Sequence, residues 1–180
     1  MDAAAEGRLA NSSRLLFVGL EAGMLGALWM LAWMGLSASW QRRSFWMPEN
    51  LMATAFDGDG PIHTGFVSIT ISGLALYLLI YSLLGALFAF AVRGRMPRRR
   101  VLLWSLAFAL AWYCVSFHGI WNSAIPLLAR LHPERATVLG HMLYGTVLAR
   151  YPVYLARWDR PPVSSEAEPP AEAAESKPSA

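Results

Sequence analysis

Long apolar stretches alternate with short polar ones along the chain, and four of the apolar stretches are long enough to cross a membrane. They run from about residue 15 to 36, 66 to 92, 101 to 122 and 136 to 156. A helix of about 20 apolar residues covers the ~30 Å hydrocarbon core of a bilayer, because it rises ~1.5 Å per residue. The pattern therefore predicts an all-α membrane protein in which residues 15–158 form a four-transmembrane-helix bundle.

The fourth stretch is interrupted by Arg150 and Pro152. A long arginine side chain can extend its charge to the membrane surface, and Tyr151, Tyr154 and Trp158 are typical of the aromatic belt found there. We therefore expect a span at this position as well.

The loop between the first two spans contains apolar residues at helical spacing: Trp46, Met47, Leu51, Met52, Ala55 and Phe56. Pro48 suits the first turn of a helix, because its fixed φ is helical and it has no N–H to leave unpaired. This pattern predicts a short amphipathic helix that lies on the outer membrane surface.

The basic residues predict the orientation. If the N-terminus is cytoplasmic, eleven Lys and Arg residues lie on the inner side, many of them in the loop "RGRMPRRR", and four lie on the outer side. Basic residues are enriched in cytoplasmic loops. We therefore expect a membrane protein with a cytoplasmic segment at 1–14 and a disordered cytoplasmic tail at 159–180, which is rich in Pro, Glu, Ala and Ser.

The amino-acid composition is also typical of a membrane protein. Hydrophobic residues make up 56% of the chain and charged residues only 15%, so the lipid bilayer is the expected partner. The single cysteine, Cys114, excludes an intrachain disulfide. The net charge of +3 suits anionic lipid head groups, and no nucleic-acid-binding motif accompanies it, so no nucleic-acid partner is predicted.

The predicted topology brings all four histidines to the outer face: His63, His118, His132 and His141. His118 and His141 each lie on the order of 6–8 Å inside the end of a span, from the helical rise. Cys114, His118 and Asn122 are spaced i, i+4 and i+8, so they form one polar stripe that we expect to face other helices.

Two interpretations of these residues remain open. His118, His141, Cys114 and His63 are candidate ligands of a transition metal or haem, with Tyr144 and Asn122 as hydrogen-bonding partners of the ligands. In the other interpretation, no cofactor binds, and His118 and His141 form hydrogen bonds between helices or to interfacial water. We favour the second, because two helical histidines meet only if the rotation of their helices brings them together.

The first span contains an acid and a small-residue motif. Glu21 lies about a turn and a half inside the inner end, and we expect it to be protonated or to pair with Arg14 or a basic residue of another helix. Gly19 and Gly23 form a GxxxG motif, and Gly85 is a matching small residue in the second span. These glycines predict close helix packing within one bundle.

Three stretches resemble a family of small bacterial integral membrane proteins with four spans and unknown function. They are "FWMPENLMATAFDG", "GLALYLLIYSLLGALFAF" and "GHMLYGTVLA", within a region from about Trp46 to Ala149. The resemblance implies the four-span fold and a location in the bacterial inner membrane, and it places His141 on the histidine typical of the last span. Tyr77 stands where members of the family carry a histidine, which weakens a haem scheme that needs that position. The resemblance implies no catalytic residue.

No catalytic motif is present: the chain lacks a Walker loop, a dinucleotide fingerprint, HExxH and GxSxG. The sequence therefore favours a structural or accessory protein that packs with itself as a homo-oligomer or with a larger membrane complex. The alternative is a metal- or haem-binding redox protein with a histidine site near the outer face. A third hypothesis, a small transporter or channel, would need more polar residues at mid-membrane depth.

Overall fold

The structure, a computed structural model, describes residues 3–57, 65–93, 96–124, 126–131 and 133–158. Within these ranges all regular elements are helical, which confirms the all-α prediction. The helices are α1 (Ala3–Trp40), α2 (Met47–Asp57), α3 (Ser68–Val92), α4 (Arg98–Tyr113), a π-helix (Cys114–Trp121), α5 (Asn122–Ala124), α6 (Pro126–Leu131), α7 (Glu134–Leu148) and α8 (Tyr151–Trp158). The predicted tail, 159–180, lies outside the described residues.

Three helical segments of the described chain are long and apolar enough to cross a membrane: Leu9–Trp40, Ser68–Val92 and Arg99–Ala124. They correspond to the first three predicted spans. The first is longer than expected, since α1 already begins at Ala3 within the predicted N-terminal segment. The third combines α4, the π-helix and α5.

The fourth predicted span, 136–156, is divided between α7 and α8 and is not confirmed as one spanning helix. Pro152 has no N–H, and its ring would clash with the carbonyl of Leu148 in a continuous helix. The chain turns at this point, where the N–H of Arg150 bonds to the carbonyl of Val147, three residues back. Neither α7 nor α8 alone has the length of a span.

Close packing of α1 and α3 depends on glycine. A methyl group on Gly19 would lie 2.5 Å from the Cα of Ala86, and one on Gly85 would overlap the backbone of Gly19 and Gly23. The two helices can approach this closely only because these residues have no Cβ. The GxxxG motif of α1 therefore packs against a neighbouring helix of the same chain.

The other helices are arranged around α1 and α3. α7 and α8 pack on α1, α4 packs on α7, and α2 packs on α3. The predicted helix α2 is present, but its apolar residues do not form one buried stripe: Met47, Leu51 and Met52 are buried, whereas Phe56 is 64% exposed. The polar residues Glu49 and Asn50 are buried on the same helix. Exposed apolar side chains such as Leu79 on α3 and Leu103 on α4 cover the outside of the long helices. Such a surface is typical of helices in contact with lipid.

Candidate functional site

His141 of α7 is buried, with 2% of its surface exposed, and both of its ring nitrogens have partners. Nδ1 lies 2.8 Å from the carbonyl oxygen of Thr137, one turn earlier. A carbonyl oxygen only accepts hydrogen bonds, so Nδ1 carries the proton and Nε2 is the acceptor. The hydroxyl of Tyr81 on α3, 3.0 Å away, therefore donates to Nε2.

Two further tyrosines surround this pair. The hydroxyl of Tyr144 donates to the carbonyl oxygen of Tyr81 at 2.9 Å, and its ring meets that of Tyr81 edge-on at 5.0 Å. The ring of Tyr77 stacks on Tyr81 with centroids 4.7 Å apart. We call Tyr77, Tyr81, His141 and Tyr144 the aromatic cluster. It joins α3 to α7 through hydrogen bonds whose groups are shielded from water.

A narrow cavity borders the aromatic cluster. It encloses about 20 Å³, enough for about one water molecule. It is lined by Met34, Met52, Tyr77, Tyr81, Ser116, Phe117, Trp121, Leu128, Thr137 and His141. One wall comes from the π-helix, a rare conformation that is frequent at functional sites.

The polar stripe of the third span does not face the other helices of the chain. Cys114, His118 and Asn122 are all exposed, while Ser116 is buried. The expectation assumed α-helical spacing, but the helix changes to π geometry at Cys114. The i→i+5 bonds of a π-helix place more residues in each turn, so the α-helical period no longer determines which side chains share a face.

Two of the three candidate metal-binding histidines, His118 and His141, contact the same tyrosine. The ring of Tyr113 meets His118 at 5.6 Å and His141 at 5.4 Å, edge-on in both cases. Its hydroxyl donates to the Glu134 carboxylate at 3.1 Å. No group of three His, Cys, Asp or Glu side chains that could hold a metal occurs in the described part of the chain.

The other residues of the metal hypothesis lie outside the described residues or have a different role in the described part of the chain. His63, like His132, lies outside the described residues. Tyr144, predicted to support a ligating histidine, donates to the Tyr81 carbonyl instead. Asn122 is exposed at the end of the π-helix. For His141 to bind a metal through Nε2, the Tyr81 hydroxyl would have to leave that nitrogen.

Glu21 pairs with a basic residue of another helix, which is one of the outcomes expected from the sequence. The Arg157 guanidinium of α8 forms a salt bridge with one carboxylate oxygen, and the indole N–H of Trp158 donates to the other at 3.1 Å. The rings of Trp158 and Phe17 stack at 6.0 Å. These contacts hold α8 against α1.

Two buried polar residues of α2 were not predicted as site residues. Asn50 accepts a hydrogen bond from the Thr70 hydroxyl at 2.6 Å and donates to the Gly65 carbonyl at 3.3 Å. The Glu49 side chain is also buried, and desolvation raises the pKa of its carboxyl from 4.5 to about 7. The sequence gives one indication that these two residues are buried: both lie between Met47 and Leu51, on an otherwise apolar part of the helix.

In comparisons with known protein families, with curated proteins and with solved structures, nothing matches this chain.

Proposed function

We propose that the protein is a four-span integral membrane protein of the bacterial inner membrane, with both termini in the cytoplasm and a structural or accessory role. The observation that carries this role is the hydrogen bonding of His141. Its two nitrogens are engaged by Thr137 and Tyr81, so the histidine holds α7 against α3 and leaves no free lone pair for a metal. Hydrogen bonds of this kind stabilise helix contacts in membranes.

The packing of α7 and α8 along α1 supports the fourth span. Near one end of this contact the indole of Trp33 donates to the Ala136 carbonyl at 2.9 Å, and near the other end Trp158 stacks on Phe17. These contacts are separated by about 16 residues of α1, roughly 24 Å of helix. α7 and α8 together thus accompany α1 across most of the ~30 Å hydrocarbon core.

The third span supports an assembly role. Only 33% of its apolar window is buried, against 50% in the first span, and its exposed side includes Cys114 and His118. An imidazole exposed to lipid is unfavourable. A partner helix, from a second copy or from a larger membrane complex, would cover this side.

The topology is tested by fusing reporters to the C-terminus and to the loop after α3. A reporter that is active only in the cytoplasm should be active at both positions, because both lie on the inner side of a four-span protein. An active periplasmic reporter at the C-terminus would mean an odd number of spans, and it would refute the proposed topology.

A further inference from the structure

We propose that Glu49 binds a proton and that this proton controls whether α2 stays docked over the cavity beside His141. The position of this site at the outer face rests on the proposed topology. Proton binding at Glu49 and the docking of α2 rest only on contacts within the chain.

α2 closes one side of the cavity. Met52 of α2 is 1% exposed and contributes to the cavity wall, together with Tyr77, Tyr81 and His141. The helix lies so close to α3 that a methyl group on Gly73 would overlap the carbonyl of Glu49. If α2 moved away, the cavity and the aromatic cluster would become accessible from that side.

Glu49 lies within this contact, and no cation among the described residues forms an ion pair with it. It is 2% exposed, and its Oε2 has no hydrogen-bond partner among the described residues. Tyr77 of α3 is within electrostatic range, but a phenol supplies no positive charge. Arg43, in the loop before α2, donates to the Leu131 carbonyl, and Arg130 of α6 is exposed. A buried carboxylate without a cation favours its neutral, protonated form.

The direction of the pH dependence follows from linkage. Burial raises the pKa of Glu49 from 4.5 to about 7 in the docked state, whereas a solvated Glu49 in the released state keeps the lower value. The docked state therefore retains its proton over a pH range in which the released state has lost it. Docking is strongest at acidic pH and weakens as the pH rises through this range, by on the order of 100-fold at neutral pH.

Hydrogen exchange measured by mass spectrometry on the full chain in lipid nanodiscs tests whether the docking of α2 depends on the proton of Glu49. Protection of the α2 amides, corrected for the intrinsic pH dependence of exchange, is compared at about pH 5 and about pH 8. We expect wild-type α2 to lose protection by up to about 100-fold at the higher pH. Glu49→Gln, which resembles the protonated acid, should keep α2 protected at both values.

Glu134→Gln is the matched control, because Glu134 is also in the first turn of its helix but is exposed. It should retain the wild-type pH dependence of α2. Equal protection of wild-type α2 at both pH values would overturn the proposal, and so would an unchanged pH dependence in Glu49→Gln. Neither result would affect the topology, which the reporter fusions measure separately.

Discussion

The hydroxyl of Tyr81 donates a hydrogen bond to Nε2 of His141 across 3.0 Å, in a buried contact between α3 and α7. Nδ1 of the same ring is held by the Thr137 carbonyl, so the geometry assigns the tautomer of the imidazole. The two residues are separated by 60 positions in the sequence. Their contact is thus a property of the tertiary structure.

Tyr81→Phe should destabilise the protein by about 1–2 kcal/mol, because it leaves Nε2 of His141 buried without a donor. The measurement is reversible unfolding in mixed micelles. Tyr154→Phe is the control, since the Tyr154 ring is only half-buried and contacts the Arg157 guanidinium. In a double variant with His141→Leu the losses should be less than additive, because no unpaired acceptor remains. Additive losses would contradict a direct bond between the two side chains.

Gly85→Ala should disrupt the contact between α1 and α3. The added methyl group would overlap the backbone of Gly19 and Gly23, and relieving such an overlap typically costs about 1–3 kcal/mol. Gly119→Ala is the matched control, since a Cβ at Gly119 would meet nothing within 4 Å. Unfolding measurements should show a loss for the first variant and little change, or a small gain, for the second. Equal stability of the two variants would argue against the close helix contact.

Cys114 offers a direct test of self-association. It is exposed, and it is the single cysteine of the chain. A disulfide between two copies of the chain must therefore join the Cys114 of one copy to the Cys114 of the other. If a second copy covers the exposed side of the third span, mild oxidation in native membranes should give a disulfide-linked dimer, which Cys114→Ser abolishes. Monomer alone, in an oxidant range that crosslinks a known dimer, would direct the search to a different partner protein.

Metal analysis distinguishes the packing role of His141 from the metal- or haem-binding alternative. Because both of its nitrogens are engaged, we expect elemental analysis of protein purified without chelators to find no stoichiometric iron, copper or zinc. The His118→Ala, His141→Ala double variant should give the same background. Near-stoichiometric metal in the wild type that is lost in the double variant would establish the alternative.

The sequence by itself determined the class of the protein and the positions of its first three long helices. The lengths of the apolar stretches carry this information, because a helix needs about 20 apolar residues to cross a bilayer. The apolar spacing after Trp46, with Pro48 in the first turn, similarly predicted α2. Gly19, Gly23 and Gly85 indicated close helix packing within one bundle, because small residues at this spacing let two helix backbones approach each other.

Only the tertiary structure decided which side of each helix faces a neighbour. Lipid and the interior of a membrane protein are both apolar, so the hydrophobic pattern does not distinguish the two sides of a span. For this reason the sequence did not reveal that Tyr81 meets His141, that Arg157 pairs with Glu21, or that Glu49 is buried against α3. The change to π geometry at Cys114 also has no signal in the apolar pattern, and the predicted polar stripe lies on the outside of the chain.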